Sequence, residues 1–213
     1  MKNYLTEFIG TFFLVFTIGL AVHSGSPLAP LAIGSSLMMM VYMGGHISGA
    51  HYNPAVTLAV AMRNKLPIAQ IVPYWISQLL GALAASWMVY VVTGGTFAPA
   101  PGEGVSPLQA LLVEFLYTFA LASVVLNVAT HRKTAANSFY GLAIGFTVAA
   151  GAFAGGPISG GAFNPAVGIG PIVVHALLGG GGFGDLWIYL VGPLLGGALG
   201  AIVFRIVNGA DAD

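Results

Sequence analysis

Two short stretches of the chain contain the same tripeptide, Asn-Pro-Ala, which combines a helix cap with a hydrogen-bond donor. Asn is favoured as the cap of a helix N-terminus, and Pro is favoured as the first helical residue because its missing N–H would have no partner there. Each tripeptide is therefore predicted to begin a helix, with the Asn oxygen capping it and the amide NH₂ left to donate. The residues are Asn53, Pro54 and Ala55, and Asn164, Pro165 and Ala166.

Two acidic residues, Glu7 and Glu114, lie within apolar stretches, where a carboxylate is costly and often functional. One hypothesis is a proton relay in a proton-coupled transporter of small solutes. The other is structural, with each carboxylate accepting backbone N–H groups from the unwound segment before one Asn-Pro-Ala turn, because buried polar groups need partners. One acid for each turn favours the structural hypothesis.

His46 and His51 flank Ser48, a combination that suggests a metal site or a serine nucleophile. A zinc site needs further ligands, and none lies nearby in the sequence. A serine nucleophile needs a base, an orienting group and an oxyanion hole, yet the second copy of this segment keeps Ser159 and has neither histidine. An intramembrane hydrolase is thus the weaker alternative, and we expect no catalytic residue, metal or cofactor.

The composition indicates a surface that faces lipid. Of 213 residues, 57% are hydrophobic and 6% are charged, and the mean hydropathy is +0.91, whereas soluble domains carry about a quarter charged residues. Six basic residues balance six acidic ones, so no positive excess indicates nucleic-acid binding. The absence of cysteine excludes disulfides and thiolate sites.

Six apolar segments are long enough to cross a bilayer, which takes about 20 residues. Two more, 53–62 and 164–175, are too short and begin at Asn-Pro, so they are predicted to be re-entrant half-helices. The six predicted spans are 4–23, 30–47, 69–92, 107–129, 137–155 and 185–207.

The two halves of the chain repeat each other. Ile47–Val56 reads ISGAHYNPAV and Ile158–Val167 reads ISGGAFNPAV, with seven of ten positions identical; upstream, TEFIGTF in the first half matches VEFLYTF in the second. Three spans per half is an odd number, so the halves must insert in opposite orientations. We predict one channel domain, 1–213, built from inverted repeats at approximately 1–100 and 107–213.

The basic residues predict the orientation. All six fall on one side if both termini are cytoplasmic, which satisfies the positive-inside rule and suits a multi-pass protein of the inner or plasma membrane. They are Lys2, Arg63, Lys65, Arg132, Lys133 and Arg205.

In an inverted repeat the two helix starts meet near the bilayer centre. Irregular backbone at that depth is tolerated where it lines a wet cavity, so the segments before the asparagines are predicted to form a pore wall. Two helix N-termini, each carrying about half an elementary charge, would repel cations and orient water so that a proton-conducting chain is interrupted. The backbone predicted to line the pore belongs to Gly49, Ala50, His51, Gly160 and Ala162.

These motifs resemble the major intrinsic protein family, the aquaporins and glycerol facilitators, over essentially the whole chain. The resemblance is carried by GHISGAHYNPAV, by ISGGAFNPAV, by the paired Glu7 and Glu114, and by Gln78-x-x-Gly81. It implies an all-α integral membrane fold with six transmembrane helices plus two re-entrant half-helices. It also implies a homotetramer with one pore per subunit, and passive passage of water or small uncharged solutes.

One position departs from the family pattern, in which an arginine follows the second motif and narrows the outer end of the pore. Here that residue is Val167, and counting from the two motifs places the other constriction positions at Ile33, Ala152 and Gly161. This predicted selectivity filter is apolar and wide, so glycerol, urea or ammonia would pass together with water. A water pore with a relaxed filter stays open as an alternative.

Overall fold

The structure is a computed structural model that describes residues 1–209. Within these residues the chain forms eight α-helices, two single-turn 3₁₀ segments and no strand. The helices are α1 (Lys2–Ser24), α2 (Ala29–Ser48), α3 (Pro54–Met62), α4 (Ile71–Thr93), α5 (Pro107–Thr130), α6 (Tyr140–Ser159), α7 (Pro165–Leu178) and α8 (Leu186–Asn208).

Six of the helices, all but α3 and α7, are long and apolar enough to cross a membrane. Between 33% and 39% of the residues in their most apolar windows are buried inside the protein, so most residues in these windows keep some exposed surface. Large apolar side chains such as Phe13, Phe153 and Leu195 are about half exposed there, which suits contact with lipid chains. The all-helical membrane fold predicted from the sequence is confirmed.

Glycine lets the spans approach one another closely. A Cβ on Gly81 of α4 would overlap the backbone of Phe8 in α1, and a Cβ on Gly196 of α8 would overlap the backbone of Phe115 in α5. These are equivalent contacts in the two halves. Small residues at such crossings allow the van der Waals packing that holds helices together in lipid.

The two short helices tie the halves of the chain together. Helix α3 lies chiefly against α8, and α7 lies chiefly against α4, so each short helix packs mainly on a span of the other half. Both begin at the interior of the bundle, where their asparagine caps are buried. The bundle therefore encloses two helix N-termini near its centre.

The predicted boundaries agree with the helices to within two residues, except in α6 and α7. Helix α6 begins at Tyr140 rather than 137, because the Asn137 side chain binds the backbone of Val128 and of Phe139 and forms a turn. Its end lies at Ser159 rather than 155. Helix α7 continues to Leu178, three residues beyond the predicted end.

Candidate transport pathway

The two Asn-Pro-Ala turns are joined directly at the centre of the bundle. Asn53 Nδ2 donates to the carbonyl of Phe163 at 2.9 Å, and Asn164 Nδ2 donates to the carbonyl of Tyr52 at 2.8 Å. Each Asn oxygen also accepts the N–H of the second residue of its own helix, Ala55 or Ala166. One hydrogen of each amide is thus engaged across the centre, and each amide retains a second hydrogen for donation.

The carboxylates of Glu7 and Glu114 bind the loops that precede these turns. Glu7 accepts the backbone N–H groups of His51 at 3.0 Å and Tyr52 at 2.7 Å. Glu114 likewise accepts those of Ala162 at 2.9 Å and Phe163 at 2.6 Å. Both acids are 0% exposed, and neither lines the cavity described below. These bonds hold unwound backbone in place and leave the carboxylates shielded from a passing solute.

Tyr52 and Phe163, each directly before a capping asparagine, were not among the residues selected from the sequence. Both adopt φ of 50°, a left-handed conformation that is uncommon for bulky residues and persists where the surroundings enforce it. Their N–H groups face the carboxylates and their carbonyls accept the opposite asparagine. The signal in the sequence was an aromatic residue at the same place in both repeats.

The loops begin where α2 and α6 stop. Gly49 and Gly160 end these helices with φ of 88° and 87°, a region that glycine enters without steric cost. The next residues then run back toward the bundle centre, where the carboxylates and asparagines hold them. The matched angles show that the two loops leave their helices in the same way.

A cavity of about 390 Å³ passes the two asparagines. Val125 and Ile144 line it on the side where α1 begins and α8 ends, and Val22 and Gly160 line it toward the opposite face, here called the outer face. Of the predicted backbone wall, Ala50, His51, Gly160 and Ala162 line it, together with Asn53 and Asn164; the exposed Gly49 is not among its lining residues. Helix residues close the remaining sides. The cavity therefore runs past the paired turns and has lining residues on both sides of them.

The four predicted filter residues, Ile33, Ala152, Gly161 and Val167, all line this one cavity. Val167 is 4% exposed and follows Asn164, Pro165 and Ala166 on the first turn of α7. Among the described residues that line the cavity, none is Lys, Arg, Asp or Glu. The polar side chains that line the cavity are those of the two asparagines, His51 and Tyr52, and the hydroxyl of Tyr52 donates to the carbonyl of Met40.

Ser48 and the two histidines, which suggested a hydrolase, do not form hydrogen bonds with one another. Ser48 Oγ donates to Glu7 at 2.6 Å and accepts the N–H of Ala50, whereas His51 Nδ1 binds Thr57 Oγ1 at 3.1 Å. His46 is exposed in the last turn of α2. The Ser–His pair that a hydrolase requires is not assembled by these residues.

The sequence matches the family model described as Major intrinsic protein over residues 1–204. The chain belongs to the major intrinsic protein family. Among curated relatives of this major intrinsic protein, Aquaporin NIP1-1 of Oryza sativa subsp. japonica is 37% identical over 218 residues, which cover 98% of this chain and 75% of the relative. Nodulin-26 of Glycine max is 36% identical over 222 residues, with 99% and 79% covered.

A solved structure shows the same fold. The aquaglyceroporin from Plasmodium falciparum superposes with a TM-score of 0.86, covering 98% of this chain and 96% of that one at 23% sequence identity. As a major intrinsic protein, the chain is a multi-pass membrane channel for water and small solutes and not an enzyme.

Proposed function

We propose that this major intrinsic protein passes water together with small uncharged solutes, glycerol, urea and ammonia, through an apolar filter at Ile33, Ala152, Gly161 and Val167. The observation that carries the proposal is the valine next to the second Asn-Pro-Ala turn, buried on the cavity wall where the family pattern has an arginine. An arginine would occupy space and offer fixed N–H donors. Valine leaves that space open and reduces the cost of admitting a solute with carbon atoms, because its surface is apolar.

We further propose that ions and protons are excluded at Asn53 and Asn164. Both helix N-termini point at this place, and their partial positive charges oppose a cation. The crosswise bonds to Phe163 and Tyr52 fix the two amides, so the remaining N–H of each is held in one direction. A water molecule there accepts from both donors and cannot take part in a continuous proton-conducting chain.

Stopped-flow light scattering on proteoliposomes tests the filter. Wild-type protein should raise the permeability to water and to glycerol and urea above that of empty vesicles. Val167→Arg should lower the solute permeabilities much more than that of water, because the new side chain narrows the ring and is polar. Val167→Met introduces a long side chain without charge and serves as the control for bulk. Its ratio of solute to water permeability should lie between those of the wild type and Val167→Arg. A wild-type channel that passes water alone, or an unchanged selectivity in Val167→Arg, would overturn the proposed filter.

We propose that the chain functions as one channel domain of two inverted repeats, assembled as a homotetramer in the cell membrane with both termini in the cytoplasm. The outward apolar faces of the spans and the one-sided distribution of the basic residues support this arrangement. Native mass spectrometry tests the tetramer. Reporter fusions at the two termini test the orientation, and an external position for either one would contradict it.

A further inference from the structure

The outer part of the cavity has a wall that belongs to neither Asn-Pro-Ala loop. The connection between α4 and α5 crosses the outer face, and residues 97–100, with sequence Phe-Ala-Pro-Ala, line the cavity. We call residues 96–100 the outer strap. Gly102 N–H donates to the carbonyl of Ile158 at 2.9 Å, so the strap is fastened to the end of α6 just beyond the segment that lines the cavity.

The strap supplies polar groups where side chains supply none. Within the described part of the chain, no hydrogen bond to protein is found for the backbone N–H groups of Phe97, Ala98 and Ala100 or for the C=O groups of residues 97–100. The side chains opposite them, including Ile33, Val148 and Val167, are apolar. Irregular backbone at depth in a membrane protein is tolerated where it faces a wet cavity, so these groups are suited to bind water or a hydroxyl of a passing solute.

Two histidines from different helices hold the strap in this place. His175, in the last turns of α7, places Nδ1 at 2.8 Å from Thr96 Oγ1. His23, at the end of α1, packs edge-on against the Phe97 ring with centroids 6.4 Å apart. A Cβ on Gly19 would lie 2.6 Å from that ring, so the ring fits here because residue 19 is glycine. Phe97 is only 8% exposed.

We propose that Phe97 and the strap backbone form a specificity-determining wall of the pore, and that His175 acts as a positioning residue by holding Thr96. This inference deepens the proposed function and rests on it. The far edge of the Phe97 ring lies against Gly19 of α1, so Phe97 anchors this wall of the outer mouth, and its neighbours on the strap offer hydrogen bonds to the solute. His175 lies near the end of α7, far from Val167, and does not line the cavity. It therefore acts on solutes only through the strap.

Paired substitutions separate the positioning role from general damage. Thr96→Val keeps the shape of the side chain and removes Oγ1, whereas Thr96→Ser keeps the hydroxyl. His175→Phe keeps a flat ring without Nδ1, whereas His175→Asn keeps a hydrogen-bonding atom near the place of Nδ1. Thr96→Val and His175→Phe should each raise the glycerol-to-water permeability ratio by roughly two- to fivefold, limited by the one hydrogen bond lost. Thr96→Ser and His175→Asn should restore the ratio, and Phe97→Ala should give the largest rise.

The absence of cysteine from the chain permits a direct test of the wall. Ala98→Cys introduces one thiol on the cavity, and Glu103→Cys introduces one on the same connection at an exposed residue that does not line it. Treatment with membrane-permeant benzyl methanethiosulfonate, which forms a mixed disulfide with the thiol, should block water flux in Ala98→Cys. A reductant should reverse the block, and Glu103→Cys should be unaffected.

The outcomes distinguish the strap from the channel itself. If wild-type vesicles conduct and the thiol at residue 98 gives no block, or if Phe97→Ala leaves the permeability ratio unchanged, the strap proposal is overturned while the channel stands. If wild-type vesicles show no flux above empty ones, the proposed function fails first. Equal changes in Thr96→Val and Thr96→Ser would contradict the role given to the Thr96–His175 bond.

Discussion

In the first half of the molecule Glu7 is surrounded by four donors, while in the second half Glu114 has three. Ser48, His51 and Tyr52 donate to Glu7, as their counterparts Ser159, Ala162 and Phe163 donate to Glu114. The fourth donor to Glu7 is Gln78 Nε2, at 2.8 Å, and the same nitrogen donates to Thr57 Oγ1 at 2.9 Å.

The second half replaces this polar network with packing. The residue that matches Gln78 is Pro193, and the residue that matches Thr57 is Gly168, whose Cα lies against Tyr189 with no room for a Cβ. Three donors are thus common to both loops, and the network of Gln78 and Thr57 is specific to the first half. It also fixes His51, the histidine on the cavity wall, through Thr57.

The largest effect is expected from Glu-to-Gln substitution at either acid, with Glu7→Gln the more severe. Each oxygen of Glu7 accepts two donors, whereas Oε2 of Glu114 accepts only Phe163 N–H. A glutamine amide at residue 7 therefore faces more donors than one at residue 114. Since a buried donor without a partner costs about 1–3 kcal/mol, we expect Glu7→Gln to be less stable than Glu114→Gln by about that amount.

Unfolding in mixed detergent and SDS micelles measures this difference. The glycerol-to-water ratio of the folded fraction should change little in either variant, because neither acid lines the cavity. Equal losses of stability in the two variants would show that the hydrogen bond from Gln78 to Glu7 adds no measurable stability. Loss of transport with normal stability would support the proton-relay hypothesis instead.

A smaller effect is expected where the second half relies on packing. Gly168→Ala places a methyl group against Tyr189, and overpacking of this kind costs about 1–3 kcal/mol. Gly45→Ala in α2 is the matched control, because its nearest neighbour would be a Tyr140 carbon at 3.4 Å, an ordinary contact. Thermal unfolding in detergent should give a lower Tm for Gly168→Ala than for the wild type, and a Tm for Gly45→Ala close to that of the wild type. Similar Tm values for the two variants would contradict the packing difference.

The smallest effect should be the same in both halves. Tyr74 OH donates to the carbonyl of Ser48 at 2.8 Å, and Tyr189 OH donates to that of Ser159 at 2.6 Å. Tyr74→Phe and Tyr189→Phe each remove one such bond, with an expected loss of about 1 kcal/mol. The same unfolding measurement should give equal values within error. A marked difference would mean that these tyrosines are not equivalent across the repeat.

Much of the site could be predicted because its parts are repeated. A single Asn-Pro-Ala or a single buried acid would have been ambiguous, but two of each at matched places indicated helix caps and loop acceptors. The spans followed from long apolar runs, since lipid imposes a minimum length on a crossing helix.

The remainder depended on contacts that no local pattern encodes. The strap sequence Phe-Ala-Pro-Ala has neither a motif nor a periodicity, and its place on the cavity depends on α1 and α7, which are distant in sequence. The bonds from Asn53 to Phe163 and from Asn164 to Tyr52 join residues about 110 positions apart. The later start of α6 reflects side-chain bonds of Asn137 that compete with helix formation.

We propose that solutes pass passively beside two asparagines that stop protons. The most direct measurement follows osmotic water flux and internal pH in the same proteoliposomes, with an entrapped pH dye and an imposed pH gradient. We expect water flux well above that of empty vesicles with no added proton flux, with or without a glycerol gradient. Proton movement that accompanies glycerol entry, and that is lost in Glu7→Gln or Glu114→Gln, would contradict the account and show a proton-coupled transporter.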